Sequence, residues 1–345
     1  MKNILKLLIR FFLKFIPLPI YQQIIKPKVT GLIYHAVSDR ALPYVDHIYP
    51  SVTTSRFEEA LNYLKKKFNV VTYEQLHQHV FHGESLPPRA LHLSFDDGYI
   101  ECYTLVRPLL LKHNIPCTFF ITSDWIDNKG MFYRNKVGLC IEKIRQLSGT
   151  AVNHYLNELN HVFGTQMSSV VDLTNWIKPM VQADSEKIEQ ICEMLEINWV
   201  EMINKNPYYL TSQQIREMAE EGFTMGSHTR SHPKLVQVSA EAMEAEIVES
   251  SKVVQKITGS EIIPFAFPNT ATGIDRKILA EIRDRNPFLG LFFDAKGFRV
   301  DAPFIINRIW AEKPKFSEKG AKTNLPFVIK DAYREYAYEK ILGWA

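Results

Sequence analysis

Cysteine is scarce in this chain of 345 residues and forms no pattern typical of a metal cluster or a redox motif. The four cysteines are Cys102, Cys117, Cys140 and Cys192, and none lies in a Cys-x-x-Cys arrangement. Their surroundings are apolar, which favours buried thiols over disulfides or a cysteine-bound metal. Because free thiols are typical of a reducing compartment, we expect a cytoplasmic protein, with peripheral attachment at the inner face of a membrane as a further option.

Long apolar runs are also missing. Residues 4–16 are almost entirely apolar, but Arg10 and Lys14 interrupt them well short of the roughly 18–20 residues that a transmembrane helix needs. No uninterrupted hydrophobic region with a small-residue cleavage site follows, which argues against a secretion signal. The N-terminus therefore resembles neither a membrane span nor an export signal.

Acidic residues are absent from the first 28 positions, which carry six cations: Lys2, Lys6, Arg10, Lys14, Lys26 and Lys28. At about 3.6 residues per turn, the first four cations form a stripe on a helix whose other faces are Leu, Ile and Phe. We therefore predict a basic amphipathic helix over residues 1–24. Contact with a membrane surface through residues 1–16 is one interpretation; packing against the protein's own barrel is the main alternative and a secretion signal a lesser one.

Strong net charge is lacking as well, since the formal value is +3. No basic patch occurs beyond the N-terminus, which argues against a nucleic-acid partner. The hydrophobic fraction of 46% can supply a large core, and a single α/β barrel commonly takes roughly 200–250 residues. The composition is therefore that of a globular protein with one or two domains.

An apolar run that ends in two adjacent carboxylates is the most informative stretch, Leu91 to Gly98. Neighbouring side chains of a strand point to opposite faces, so Asp96 and Asp97 can share one cleft only where the strand stops. Gly98 has the conformational freedom for such a turn, and the helical spacing from Ile100 onwards favours strand–turn–helix over an Asp-Gly hairpin. The pattern suits a metal ligand beside a general base, although a purely structural turn is the alternative.

Two histidines four residues apart, His228 and His232, form the second informative stretch. Gly226 indicates a strand end and Pro233 disfavours helical geometry at His232, so we expect a loop. Histidines at this spacing are usually incidental, but their combination with the carboxylate pair is rare. With Asp97 they would make a two-histidine, one-carboxylate set with open positions, which suits zinc, or iron or cobalt in its place.

In these residues the sequence resembles the polysaccharide deacetylases, also known as NodB-homology or carbohydrate esterase family 4 enzymes. The stretch 94–98 resembles the family motif Thr/Ser-Phe-Asp-Asp-Gly, and 228–232 resembles His-Ser/Thr-x-x-His. The resemblance extends from about residue 30 to 310 and implies a distorted, incomplete (β/α) barrel. It also implies that Asp96 is the general base and that Asp97 binds a divalent metal, expected to be Zn²⁺, together with the two histidines.

The family's general acid and arginine have less direct counterparts. Many members take the acid from a late Leu-x-His motif, but no histidine follows position 232 here. A permuted branch uses an early Tyr-His pair, which resembles Tyr34-His35, so we predict that His35 protonates the leaving amine; a structural histidine is the alternative. The stretch 265–269 resembles the third motif without its arginine, and we predict that Arg308 pairs with Asp96 instead.

Strands and helices alternate over most of the chain, which predicts a parallel α/β fold. From residue 124 to 208 the alternation gives way to successive helical patterns without a strand. The family does not normally have an insertion this long between its active-site strands. We expect it to cover the cleft and select the substrate, with a packing appendage as the alternative. Residues 25–345 would then be one catalytic domain with a helical insertion at 124–208.

These features predict a hydrolase of carbon–nitrogen bonds other than peptide bonds. The expected reaction is metal-dependent removal of an N-acyl group, most simply N-acetyl, from an amino sugar in a polysaccharide, oligosaccharide or glycan precursor. Deacetylation or deformylation of a polyprenyl-linked sugar is an alternative, and a non-catalytic carbohydrate-binding protein is another. Three aromatic residues near strand ends, Tyr99, Trp125 and Trp310, could stack on a sugar ring, although such residues are more often core.

Overall fold

A computed structural model describes residues 2–25, 29–313 and 323–343. At its centre lie eight parallel strands: β1 (Thr30–Tyr34), β2 (Asn69–Val70), β3 (Ala90–Phe95), β4 (Thr118–Ile121), β5 (Thr224–Ser227), β6 (Ile263–Ala266), β7 (Leu289–Asp294) and β8 (Ile305–Trp310). Most are continuous apolar runs buried on both faces, as expected of a parallel sheet covered by helices.

Seven of these strands close into a barrel. They follow the order β1-β8-β7-β6-β5-β4-β3, and β3 pairs back with β1 over five residues. On its other side β3 pairs with β2 through its first two residues and with β4 through its last two. The barrel is therefore irregular between β3 and β4, and the prediction of a distorted (β/α) barrel is confirmed.

Helices surround the barrel. The α-helices are α1 (Lys2–Leu13), α2 (Leu18–Ile25), α3 (Thr54–Lys67), α4 (Tyr73–His82), α5 (Arg107–His113), α6 (Tyr133–Gln146), α7 (Thr150–Phe163), α8 (Val170–Ile177), α9 (Ser185–Met194), α10 (Trp199–Lys205), α11 (Ser212–Glu220), α12 (Ala240–Thr258), α13 (Arg276–Arg285) and α14 (Leu325–Ile341). Short π and 3₁₀ turns occupy Cys102–Val106, Ser123–Asn128, Gln182–Asp184 and Leu235–Gln237.

The N-terminal segment departs from its prediction. One helix was expected over residues 1–24, whereas the structure has two, with a bend of 114° between them. Pro17 and Pro19 explain the break, because proline lacks the backbone N–H that continues a helix. Among the described residues no single helix is long and apolar enough to cross a membrane. The segments Lys6–Leu13 and Leu18–Ile25 reach the required length and hydropathy only when they are taken together as a bent pair. Lys26 and Lys28 lie outside the described residues.

Between β4 and β5 the described residues form no named strand, and helices dominate residues 124–208, in agreement with the helical patterns of the sequence; Tyr209 makes an isolated bridge to Tyr99. Helices α6 to α9 share a small core of their own, which includes Ile141, Leu159, Leu173 and Ile191. Helix α6 also packs closely on the loop after β1, since a Cβ added at Gly138 would lie 2.9 Å from the carbonyl oxygen of Pro43. The insertion is thus anchored beside the carboxyl ends of the barrel strands.

All four cysteines are buried free thiols, as predicted. The Sγ atoms of Cys140 on α6 and Cys192 on α9 are 3.5 Å apart inside the insertion core. The cytoplasmic location inferred from these thiols stays a prediction.

Candidate active site

The end of β3 places two carboxylates at the same rim of the barrel. The strand stops at Phe95, and Asp97 and Gly98 both adopt left-handed backbone conformations, with φ of +73° and +75°. Two successive residues of this kind end the side-chain alternation of the strand. Because Asp97 is not glycine, its conformation costs about 1–2 kcal/mol, the kind of local strain that is concentrated at functional sites.

The loop after β5 brings in the two histidines. His232 has φ of +62°, and its backbone N–H donates to Thr229 Oγ1 at 3.0 Å. Glu246 of α12 accepts hydrogen bonds from the backbone N–H groups of Arg230 and Ser231 at 2.8 and 2.9 Å. These contacts hold a tight, non-helical turn, in agreement with the loop predicted for this stretch.

Asp97 and the two imidazoles converge. Asp97 Oδ1 lies 3.4 Å from Nε2 of His228 and 3.4 Å from Nε2 of His232. Nδ1 of His228 is 2.9 Å from the carbonyl oxygen of Ala266, which can only accept, so Nδ1 carries the proton and Nε2 is free to bind a metal. Potential ligand atoms of all three side chains lie within 4.8 Å of one another.

The donor set fits a divalent cation. All three side chains are buried, and neither carboxylate oxygen of Asp97 has a hydrogen-bond partner among the described residues. A buried carboxylate without such partners needs a compensating positive charge. Burial alone would raise the pKa of Asp97, but His228, His232 and His35 hold it well below its usual range. Burial lowers the pKa of His232, which favours the neutral imidazole that a metal requires.

Asp96 is fixed by a buried arginine. Arg308 Nη1 donates to Asp96 Oδ1 at 2.6 Å and Nη2 donates to Oδ2 at 2.8 Å, a bidentate pair. Nη1 also donates to Ser94 Oγ at 3.0 Å. Gly31 makes room for this arrangement, since a Cβ there would lie 2.9 Å from Cγ of Arg308 and 2.5 Å from the carbonyl oxygen of Asn307. The pairing predicted for Arg308 is therefore present.

His35 is held by a glutamate at the same rim. Its Nδ1 lies 2.9 Å from Oε2 of Glu312, whose other oxygen accepts the backbone N–H groups of His35 and Ala36 at 2.8 and 3.0 Å. Burial alone would lower the pKa of His35, but Glu312 outweighs it, with help from Asp97 and Asp96, and the pKa is raised. The ring also stacks on Tyr49 at a centroid distance of 4.0 Å. His35 is thus oriented and biased towards the imidazolium form.

Comparison with known proteins agrees with this geometry. A family model described as "Polysaccharide deacetylase" matches residues 83–285, more than half of the chain. The chain belongs to the polysaccharide deacetylase family. Membership confirms the family that the two motifs predicted, while the predicted hydrolysis of a carbon–nitrogen bond stays a prediction for this chain.

Relatives of known name share parts of this chain. It is 33% identical over 98 residues to the poly-beta-1,6-N-acetyl-D-glucosamine N-deacetylase of Escherichia coli K12, a match that covers 28% of this chain and 14% of that protein. The fold is similar to that of the Streptococcus pyogenes deacetylase PplD, solved in complex with acetate (TM-score 0.53, 17% identity, 82% of this chain and 92% of that one). It is also similar to IcaB from Ammonifex degensii (TM-score 0.54, 15% identity, 89% and 97%).

Two residues of this deacetylase-like site were not identified from the sequence. Glu312 follows β8 closely and lies at the rim where polar residues after strands meet. That position was a usable signal. Tyr49 lies in an irregular stretch without periodicity, and nothing in the sequence indicates that its ring packs on His35.

The three aromatic residues considered for sugar binding have different surroundings. Tyr99 is fully buried and stacks on Tyr209, so that interpretation is wrong for Tyr99. Trp125 is buried against the ring of His232, at a centroid distance of 5.7 Å, and screens it from water. Trp310 is half-buried, and its indole N–H donates to Glu312 at 3.1 Å. Of the three, Trp310 has the exposure that a sugar contact needs.

Proposed function

We propose that this chain catalyses metal-dependent hydrolysis of the N-acyl group, most simply N-acetyl, of an amino sugar in a polysaccharide, oligosaccharide or glycan precursor. One observation carries the proposal: a buried two-histidine, one-carboxylate set lies beside a second carboxylate, with Asp96 Oδ2 3.9 Å from Nε2 of His228. A fixed carboxylate next to a metal-binding set is what hydrolysis by an activated water requires.

Asp97, His228 and His232 would hold the metal, and Zn²⁺ is the expected ion for this ligand set. When bound, the metal would polarise the acyl carbonyl and lower the pKa of the attacking water. The hydrogen bond from His228 Nδ1 to Ala266 fixes the ring orientation that this role needs.

Asp96 takes the proton from the attacking water as the water oxygen adds to the acyl carbon. Arg308 holds both carboxylate oxygens in one plane, so the base is oriented before the substrate arrives. Each oxygen keeps a further lone pair beyond its bond to the guanidinium, which leaves Asp96 able to accept a proton.

His35 provides the proton for the leaving amine when the carbon–nitrogen bond breaks. Its Nδ1 is engaged by Glu312, so Nε2 is the atom that can donate. The raised pKa keeps the imidazole protonated over more of the neutral range, as a general acid requires. The acyl group leaves as a carboxylate and the sugar keeps a free amine.

The relatives support an N-acetylated glucosamine polymer as the first substrate to test. The Escherichia coli relative is named for poly-beta-1,6-N-acetyl-D-glucosamine. Because the match spans only 14% of that protein, its substrate enters here as part of the proposal. Complete candidate machinery, with base, acid and ligand set together, argues against a non-catalytic carbohydrate-binding protein.

A second candidate function is the same hydrolysis of an N-acyl group on a sugar that is attached to a lipid. Helix α1 exposes several large apolar side chains, which favours a sugar presented at a membrane on a polyprenyl lipid, deacetylated or deformylated there. The test is metal analysis joined to acyl-release assays on free, polymeric and lipid-linked N-acyl sugars, with acetate and formate measured separately. Release from no substrate by metal-loaded protein would contradict the enzymatic proposal.

A further inference from the structure

Helix α1 lies on the protein with one face and leaves another face uncovered. Leu13 is buried, and Ile9 and Ile16 pack against the same core cluster as the barrel. Tyr21 of α2 donates its hydroxyl hydrogen to the Leu13 carbonyl at 2.5 Å. The segment is therefore docked on the protein rather than extended into solvent.

Contacts with α14 fix the direction of the helix. Arg10 forms an ion pair with Glu335 at 3.4 Å, and its guanidinium lies 4.4 Å from the ring centroid of Tyr338. Lys330 Nζ donates to the carbonyl oxygen of Lys14 at 2.9 Å. The two helices thus run antiparallel, and α1 cannot rotate its uncovered face inwards without losing these contacts.

The uncovered face is apolar and aromatic. It consists of Leu7, Leu8, Phe11, Phe12 and Phe15, called here the N-terminal apolar face. The exposed fractions of these side chains range from 48% to 68%, and no described residue covers them. Phe11 touches both other rings edge-on, at centroid distances of 5.9 and 5.1 Å. A contiguous patch of this kind on a soluble domain normally marks a contact surface.

The positive charge near this face indicates which kind of surface it binds. The cations on the described part of this segment include Lys6, Arg10 and Lys14, of which Arg10 pairs with Glu335, and the first acidic residue of the chain is Asp39. Lys14 is exposed beside the apolar face. Two copies meeting through this face would bring like charges together, which opposes association. An anionic surface would instead gain both burial of the aromatic side chains and attraction to the cations.

We propose that the N-terminal apolar face binds the surface of a bilayer that contains anionic lipids. Helix α1 lies parallel to the membrane plane, with Phe11 and Phe12 of the helix and Phe15 of the following turn among the upper acyl chains, and Lys14 at headgroup level. The docked face, through Leu13, couples the barrel to the membrane. The proposal does not depend on the reaction that the barrel catalyses.

The test is co-sedimentation of the full chain with vesicles of phosphatidylcholine, with and without phosphatidylglycerol. We expect binding to the anionic vesicles and a decrease in affinity of at least about tenfold for the double variant Phe11→Ser, Phe15→Ser, because two aromatic side chains lose their burial. Lys14→Ser should weaken binding to the anionic vesicles alone. Val171→Ser with Val300→Ser, which changes two apolar residues exposed elsewhere, is the matched control and should bind like wild type.

Several results would overturn the proposal. These are no binding of the wild-type chain to either vesicle, equal binding to both, or unchanged binding of the double phenylalanine variant. A wild-type dimer that this variant dissociates, seen by light scattering, would assign the face to self-association instead. A Tm equal to that of wild type would show that the variants are folded, as expected for substitutions at exposed positions.

Discussion

Replacement of Glu312 by Gln is predicted to shift the pH dependence of catalysis to lower pH. The glutamine oxygen can still accept the backbone N–H groups of His35 and Ala36, so the loop should keep its shape. Its amide group, however, faces Nδ1 of His35 with a donor instead of an acceptor. The imidazolium form loses its partner, and the raised pKa of His35 should fall.

The size of this effect follows from the contact. A hydrogen bond to a charged group contributes about 1.5–3 kcal/mol, and about 1.4 kcal/mol corresponds to one pH unit. Catalysis needs protonated His35, so activity is lost as the pH rises through its pKa. We therefore expect the alkaline limb of the kcat profile to move down by about one to two pH units, measured by acetate release across the pH range.

The contribution of the Glu312–His35 contact to folding stability should also depend on pH. A raised pKa contributes stability that is fully present below the pKa of the unfolded histidine and is lost as the pH rises through the folded value. The difference in Tm between wild type and Glu312→Gln should therefore be larger at acidic pH than at alkaline pH. Glu142→Gln, which removes the partner of His47 in a pair of similar length away from the site, is the control. A Glu312→Gln profile that coincides with wild type would refute the role of His35 as general acid.

Other predictions follow from the same geometry. Asp96→Asn should lower acyl release about 10²–10⁴-fold and leave the metal content unchanged, whereas the exposed Asp284→Asn should match wild type in both assays. Gly31→Ala should destabilise the fold by about 1–3 kcal/mol in denaturant unfolding, since its Cβ would meet the carbonyl of Asn307 and the side chain of Arg308; unchanged stability would contradict the close packing of β1 and β8. Removal of metal by a chelator should lower Tm, because the metal binds only the folded ligand set; a Tm insensitive to added Zn²⁺ would count against that set.

The parallel α/β pattern and the two strand ends that carry the motifs were accessible from sequence because they depend on local rules, whereas closure of the strands into a barrel was implied only by the family resemblance. An apolar run that ends in Asp-Asp-Gly fixes a strand end, and Pro233 after His232 excludes a helix there. Parallel strands then bring such ends to one rim. The division of the first helix was also present in the sequence, in Pro17 and Pro19, but the continuing apolar pattern obscured it.

Other parts of the site depend on tertiary contacts that leave no local signal. The stacking of Tyr49 on His35 comes from a loop without periodicity. The left-handed conformation was expected at Gly98, yet Asp97 adopts it as well, and its carboxylate lies 3.4 Å from both histidines, a contact across the barrel that the local sequence does not encode. Likewise, the sequence could not show that one side of α1 would be docked on α14 and another left exposed.

The central claim is that Asp97, His228 and His232 bind one divalent metal on which hydrolysis depends. The most direct measurement is metal content by elemental analysis of wild type and His232→Ala, after loading with Zn²⁺, alongside acetate release. We predict about one equivalent of zinc and acyl release for wild type, and loss of both for the variant. Zinc retained in full by His232→Ala, or acyl release by wild type stripped of metal, would contradict the claim.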